Sequence, residues 1–366
     1  MPVASPNDSS RALLDAAYEQ LEFSRGILLP ASKCLLKDHE AEWVEKGDWQ
    51  ALAKDVGAEK IFFVDREPVV VFAELKSSDD AAFRDAYNKI WCMARPQLLF
   101  LARRGELSVY DLSKPPIRCG ESPEDQNRLL ETVRTLAEVQ QRLHKFHREQ
   151  LETGAVFGDQ RFAKGLDRAD RALIRNLKEV LKGLKKLDFR ATPRLLPAER
   201  LKILHSLIGR AIFVRYLEDR KIITRDYFLK VVELSDANAE QKRAWRGILN
   251  HPLGQPDLSP AMSELLFPRV LSDKGFTYAL FDQLAHDFNG DTFPVEDEER
   301  RCLLQHHLST LRDFLLGLRP GEQSLFFFAY KFDIIPIELI SSIYEEFYTE
   351  RQSLCPIGQP QLLGRW

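Results

Sequence analysis

The chain has 366 residues, 44% of them hydrophobic and 29% charged, with a formal net charge of −3. That length supports two or three domains with large cores, and the composition excludes a disordered or low-complexity chain. Near-neutral charge excludes a polycation, so any contact with nucleic acid must use a local patch. In chain order, the first element is a helix from about Ser9 to Phe23, with Leu13, Leu14, Ala17, Tyr18 and Leu21 on one face. Two strands follow, Ile61–Val64 and Pro68–Lys76, on either side of a turn at Asp65-Arg66-Glu67. Ser77 to Asp80 offer N-caps for a helix to about Ala94, before Pro96. Strands at Gln97–Ala102 and Glu106–Asp111 join at Arg104-Gly105. This order predicts a mixed α/β domain over residues 1–120.

Beyond Lys114-Pro115-Pro116 the pattern becomes mostly 3.6-periodic. Ser122-Pro123-Glu124 is a helix start with proline at the first helical position. Helices are expected at Glu124–Leu151, Asp167–Leu187, Pro197–Lys221, Ala239–Leu249, Ala279–Phe288 and Glu296–Leu316. Residues 121–329 therefore read as a mainly helical domain. Residues 330–366 read as one more helix and an aperiodic tail.

Five scattered cysteines, Cys34, Cys92, Cys119, Cys302 and Cys355, form no Cys-x-x-Cys pair. This argues against a zinc site or disulfide framework and fits a reducing compartment. The N-terminus lacks a secretory signal layout, and no apolar run reaches membrane-spanning length. A cytoplasmic protein without a membrane partner is expected.

Asp65, Glu74 and Lys76 are the sharpest candidates for chemistry. Metal-dependent phosphodiester hydrolysis needs clustered carboxylates to hold Mg²⁺, with a cation nearby to position water or offset developing charge. Glu74 and Lys76 stand two apart on a strand and share a face, and Asp65 at the preceding turn is a candidate to approach them. The same residues would also suit a surface salt bridge at a strand end. A second candidate is the stripe Arg168, Arg171, Arg175, Lys178, Lys182 and Lys185, whose spacings of three and four place all six on one helical face. Between Arg161 and Lys202 there are thirteen Lys or Arg against five Asp or Glu. Such a stripe suits salt-sensitive contacts to the phosphates of double-stranded DNA, or a solvated helix face.

Asp65 with Glu74-Leu75-Lys76 resembles the PD-(D/E)XK nuclease signature, and the order of elements around it resembles that fold. By that resemblance Asp65 and Glu74 would hold the metal, Lys76 would complete the catalytic set, and Glu19 or Glu22 would add a carboxylate. Val64-Asp65 stands where Pro-Asp is usual, and the interval from Asp65 to Glu74 is short. Tyr330-Lys331-Phe332-Asp333-Ile334-Ile335-Pro336, followed by a helix over Ile337–Phe347, resembles the approach to the catalytic domain of N6-adenine DNA methyltransferases, especially type IIG restriction–modification enzymes. Leu207–Arg220 and Phe288–Pro294 resemble the helical connector of that family.

The resemblance implies a nuclease-like front, a helical connector and the threshold of a methyltransferase domain. The family's Tyr-Thr-Pro, Gly-rich loop and Asn-Pro-Pro-Tyr motifs do not occur in these residues, so S-adenosylmethionine binding is not expected of this chain. The function implied is that of a truncated restriction–modification protein acting as a Mg²⁺-dependent DNA endonuclease, with a separate methyltransferase polypeptide as a possible partner. The rival expectation is an inactive DNA-binding or partner-binding subunit or remnant.

Overall fold

The computed structural model describes residues 6–31, 49–77, 79–118, 121, 128–158, 169–190, 195–252, 263–288, 295–318, 330, 332, 334 and 335. These divide into two compact units, with the division falling in the first turn of a helix at Ala172/Leu173. The first unit is α/β and the second helical.

In the first unit the apolar face of Leu13, Leu14, Ala17, Tyr18 and Leu21 lies on α1 (Pro6–Gln20) and is buried. One six-stranded sheet follows, with strands adjacent in chain order: β1 (Ile27–Pro30), β2 (Lys60–Val64), β3 (Glu67–Glu74), β4 (Leu98–Arg103), β5 (Glu106–Asp111) and β6 (Leu129–Val133). All neighbours pair antiparallel except β3 and β4, which are parallel. A parallel pair requires a crossover, here α2 (Asp80–Trp91), which Asp79 caps by accepting from the amide of Ala81. The central strands read as continuous apolar runs because both their faces are covered.

On one face Phe62, Phe72 and Phe100 meet Phe23 at ring distances of 5.0 to 5.7 Å, and α1 packs over them. On the other, Phe83 and Tyr87 of α2 meet Tyr110, and the Tyr87 hydroxyl donates to the carbonyl of Asp111 at 2.9 Å. Each such aromatic buried stabilises the unit by roughly 1.5–3 kcal/mol.

The two hairpins use left-handed backbone. Arg104 and Gly105 (φ 55° and 79°) close β4–β5, and Asp65 (φ 54°) turns β2 into β3. Aspartate tolerates that region better than most residues, and glycine better still. Asp65→Gly is therefore expected to be neutral to stabilising, within about 1 kcal/mol, in a denaturant titration of the first unit.

The expected helix Glu124–Leu151 is replaced, over its described part, by β6 and two short helices, α3 (Leu136–Leu143) and α4 (Arg148–Glu152). The edge of β5 takes Leu129–Val133 as its partner, and Ser108 and Thr132 hydroxyls meet at 2.9 Å. Glu138 accepts from the amide of Thr135 at 3.2 Å and so starts α3. The first unit thus runs past residue 120. Tyr330, Phe332, Ile334 and Ile335 also belong to it rather than to a separate segment. All four are buried, with the Tyr330 ring 5.4 Å from that of Trp91.

The second unit contains α5 (Ala169–Lys185), α6 (Pro197–Asp219), α7 (Arg225–Leu234), α8 (Ala239–Asn250), α9 (Phe267–Val270), α10 (Lys274–Phe288), α11 (Asp297–Cys302) and α12 (Gln305–Leu315). The long helix expected over Glu296–Leu316 is broken at Leu303-Leu304. There the carbonyls of Cys302 and Leu303 accept from the Arg190 amide (3.0 Å) and the Lys274 ammonium (2.6 Å). Arg210 of α6 pairs with Glu299 of α11, both almost fully buried. Burial pushes the Glu299 carboxyl up, opposed by the Arg210 charge.

The Leu207–Arg220 run forms the inner part of α6. Its Glu218 accepts from the amides of Leu266 and Phe267, and Arg215 pairs with Asp219. Among the described residues no helix is long and apolar enough to cross a membrane. Asn289-Gly290-Asp291 and the helix expected over 337–347 lie outside the described residues.

Candidate active site

The sheet separates the carboxylates that the sequence put together. Asp65 sits in the β2–β3 turn, whereas Glu74 is the last residue of β3. From Glu67 to Glu74 the strand spans roughly 23 Å. Asp65 therefore cannot share a metal with Glu74 in this fold. The reason is topological: in an antiparallel hairpin the turn lies at one end, and the far end of the second strand faces the start of the first.

That start supplies Glu59. Lys60 pairs with Phe72 across β2 and β3, and Glu59 extends the ladder, donating its amide to the Phe72 carbonyl at 2.7 Å. Its own carbonyl accepts from the amide of Ala31 at 2.8 Å. Both Glu59 and Glu74 are half-buried, with side chains 23% and 19% exposed. One nitrogen, Nη1 of Arg11 on α1, lies 2.5 Å from Glu59 Oε2 and 3.5 Å from Glu74 Oε2. The two carboxylate oxygens are consequently no more than about 6 Å apart.

The neighbours hold this arrangement. Arg11 also contacts Asp15 one turn along α1, at 3.1 and 3.2 Å. Burial works against the guanidinium charge, but hydrogen bonds to Asp15 and Glu59 outweigh it and raise the Arg11 pKa above the ordinary arginine range. Tyr18 donates to Glu59 Oε1 at 3.3 Å, and the Lys60 ammonium lies 3.7 Å from the Tyr18 ring centroid. Burial, then the Glu59 charge, pushes the Tyr18 hydroxyl pKa up. Ser10 accepts from the amide of Gly105 at 2.6 Å, tying α1 to the β4–β5 turn.

Lys76 lies just beyond β3 and is exposed, and the Leu75 amide continues the ladder to Ala102 at 2.9 Å. Glu19 and Glu22 stay away from this end of α1. Glu19 accepts from Ser24, while Glu22 pairs with Arg25 at 2.5 Å and Arg148 at 3.5 Å.

The donor set suits a hard divalent cation. Mg²⁺ takes oxygen ligands and is commonly held by one or two carboxylates, with waters and substrate phosphates completing the shell. Among the described residues no group of three His, Cys, Asp or Glu is placed to hold a metal. Glu59 and Glu74 would therefore hold it as a pair.

The basic stripe lies on α5. Arg171, Lys178, Lys182 and Lys185 are exposed and Arg175 is half-buried, while Leu173, Leu177, Val180 and Leu184 are buried on the opposite side. Arg168 lies outside the described residues. Lys182 pairs loosely with Glu179 at 3.9 Å.

Comparison with family models, curated proteins and solved structures gives no match for the chain. The case for a site therefore rests on its geometry. Sequence reading missed Glu59 and Arg11. A signal for Glu59 was present, since counting both ways from the Asp65 turn brings the residue before β2 level with the end of β3.

Proposed function

We propose that the first unit is a divalent-metal-dependent DNA endonuclease of the restriction–modification kind, and that α5 of the helical unit contacts the DNA backbone. The observation that carries this reading is the meeting of Glu59 and Glu74 at the open end of β3, with Lys76 two residues further on. Mg²⁺ held there would supply Lewis-acid activation of a phosphodiester and of water. Glu59 and Glu74 bind and orient it, Tyr18 fixes Glu59, and Lys76 places a positive charge beside the scissile phosphate. The order of the strands, three antiparallel and then a helical crossover to a parallel fourth, supports the same reading.

The test is cleavage of a labelled duplex. Cutting is expected with Mg²⁺ and not with a chelator, and Glu74→Gln is expected to slow it at least about 100-fold.

The exposed cations of α5 suit phosphates. Lys178→Ala with Lys182→Ala and Lys185→Ala is expected to flatten the slope of log affinity against log salt by about 2–3, in filter binding or fluorescence anisotropy. A second reading, a catalytically silent DNA-binding subunit, is favoured by the guanidinium of Arg11 lying between the two carboxylates. Salt-sensitive DNA binding with no Mg²⁺-dependent cutting would select it.

A further inference from the structure

We propose that Arg11 gates the carboxylate pair, an internal cation that a divalent metal must displace before Glu59 and Glu74 can hold it. This rests on the reading of those residues as a metal pair. Three observations carry it.

First, one guanidinium nitrogen contacts both carboxylates, so Arg11 and a metal compete for the same oxygens. Second, Arg11 has somewhere to go. Its Nε and Nη2 already contact Asp15, an exposed residue one turn along, and the Arg11 side chain is itself 41% exposed. Rotation about the outer side-chain bonds would release Glu59 and Glu74 toward solvent while keeping at most one of the two Asp15 contacts, because the guanidinium is planar and rigid. Third, the surroundings are held by contacts that do not involve Arg11. Ser10 anchors α1 to Gly105, and Tyr18 donates to Glu59.

Arg11 thus has two arrangements, one bridging the pair and one parked on Asp15, and metal binds only the second. A ligand that binds one of two states shifts the equilibrium by its differential affinity alone. The gate therefore lowers metal affinity by the strength of the bridge. A half-exposed ion pair of this kind corresponds to about a two- to fivefold effect on a dissociation constant.

The experiment is Mn²⁺ titration of the full chain, with free Mn²⁺ read by electron paramagnetic resonance. Arg11→Met is expected to bind Mn²⁺ about two- to fivefold tighter than the parent chain. It is also expected to melt lower without metal and to gain more from Mn²⁺. Arg11→Gln removes the charge at a part-exposed position while keeping a polar side chain, so it is expected to show the same gain, and it tests the gate even if Arg11→Met folds poorly. Adding Glu74→Gln to Arg11→Met should abolish the gain. Equal or weaker binding by Arg11→Met, with Glu74→Gln still weakening the parent chain, overturns the gate and leaves the metal pair standing. If Glu74→Gln changes Mn²⁺ binding in neither background, the metal pair fails and the gate with it.

Discussion

Replacing Glu299 with alanine is expected to lower the stability of the helical unit by about 3–5 kcal/mol, because it breaks a buried ion pair from one side. Arg210 and Glu299 are 2% and 3% exposed, eighty-nine residues apart in the chain, and joined by a charge-assisted hydrogen bond. The Tyr278 hydroxyl also donates to Glu299, at 3.4 Å, and the Arg210 guanidinium lies 5.2 Å from the Phe281 ring centroid. Glu299→Ala removes the carboxylate that Arg210 and Tyr278 share in a low-dielectric interior. Replacing the pair together, Arg210→Met with Glu299→Leu, is expected to recover most of the loss, since a buried ion pair gains little over apolar residues of similar volume. Calorimetry that separates the two units checks both variants. Equal losses for the single and double variants would mean that packing, not charge, dominates there.

Tyr330→Ala is expected to cost the first unit about 3–5 kcal/mol, the usual range for a large aromatic removed from a core. Its ring lies 5.4 Å from Trp91 and 6.3 Å from Phe332, and Tyr330, Phe332, Ile334 and Ile335 are all buried. Far along the chain, these residues add to the core of the first unit beside Trp91 of α2. The melting transition of the first unit should drop while that of the helical unit holds. A loss shared by both transitions, or by neither, would contradict this assignment.

The elements legible in the sequence were those whose local period agreed with their packing. The apolar face of α1, the run Pro68–Lys76 and the Arg104-Gly105 hairpin each carry their signal within a few residues. Leu129–Val133 did not, because a strand added to a sheet edge owes its state to β5 rather than to its own period. Leu303-Leu304 kept a helical period across a break that hydrogen bonds from Arg190 and Lys274 hold open. The candidate site was half legible. Glu74 and Lys76 followed from the two-residue repeat of a strand, while Asp65 was chosen for its nearness in sequence. Register, counted outward from the turn and not read from either strand alone, brings Glu59 level with the end of β3 and leaves Asp65 in the turn. Arg11 was invisible for the same reason, since nothing local tells which helix face covers a strand end.

In the proposed site Glu59, and not Asp65, is the acid that works with Glu74. Mg²⁺-dependent cleavage by Glu59→Gln and Asp65→Asn, measured side by side on one duplex, tests it most directly. A rate at least about 100-fold lower is expected for Glu59→Gln, with a near-unchanged rate for Asp65→Asn. Loss of cleavage on changing Asp65 with Glu59→Gln still active would contradict it, as would an absence of Mg²⁺-dependent cleavage in the parent chain.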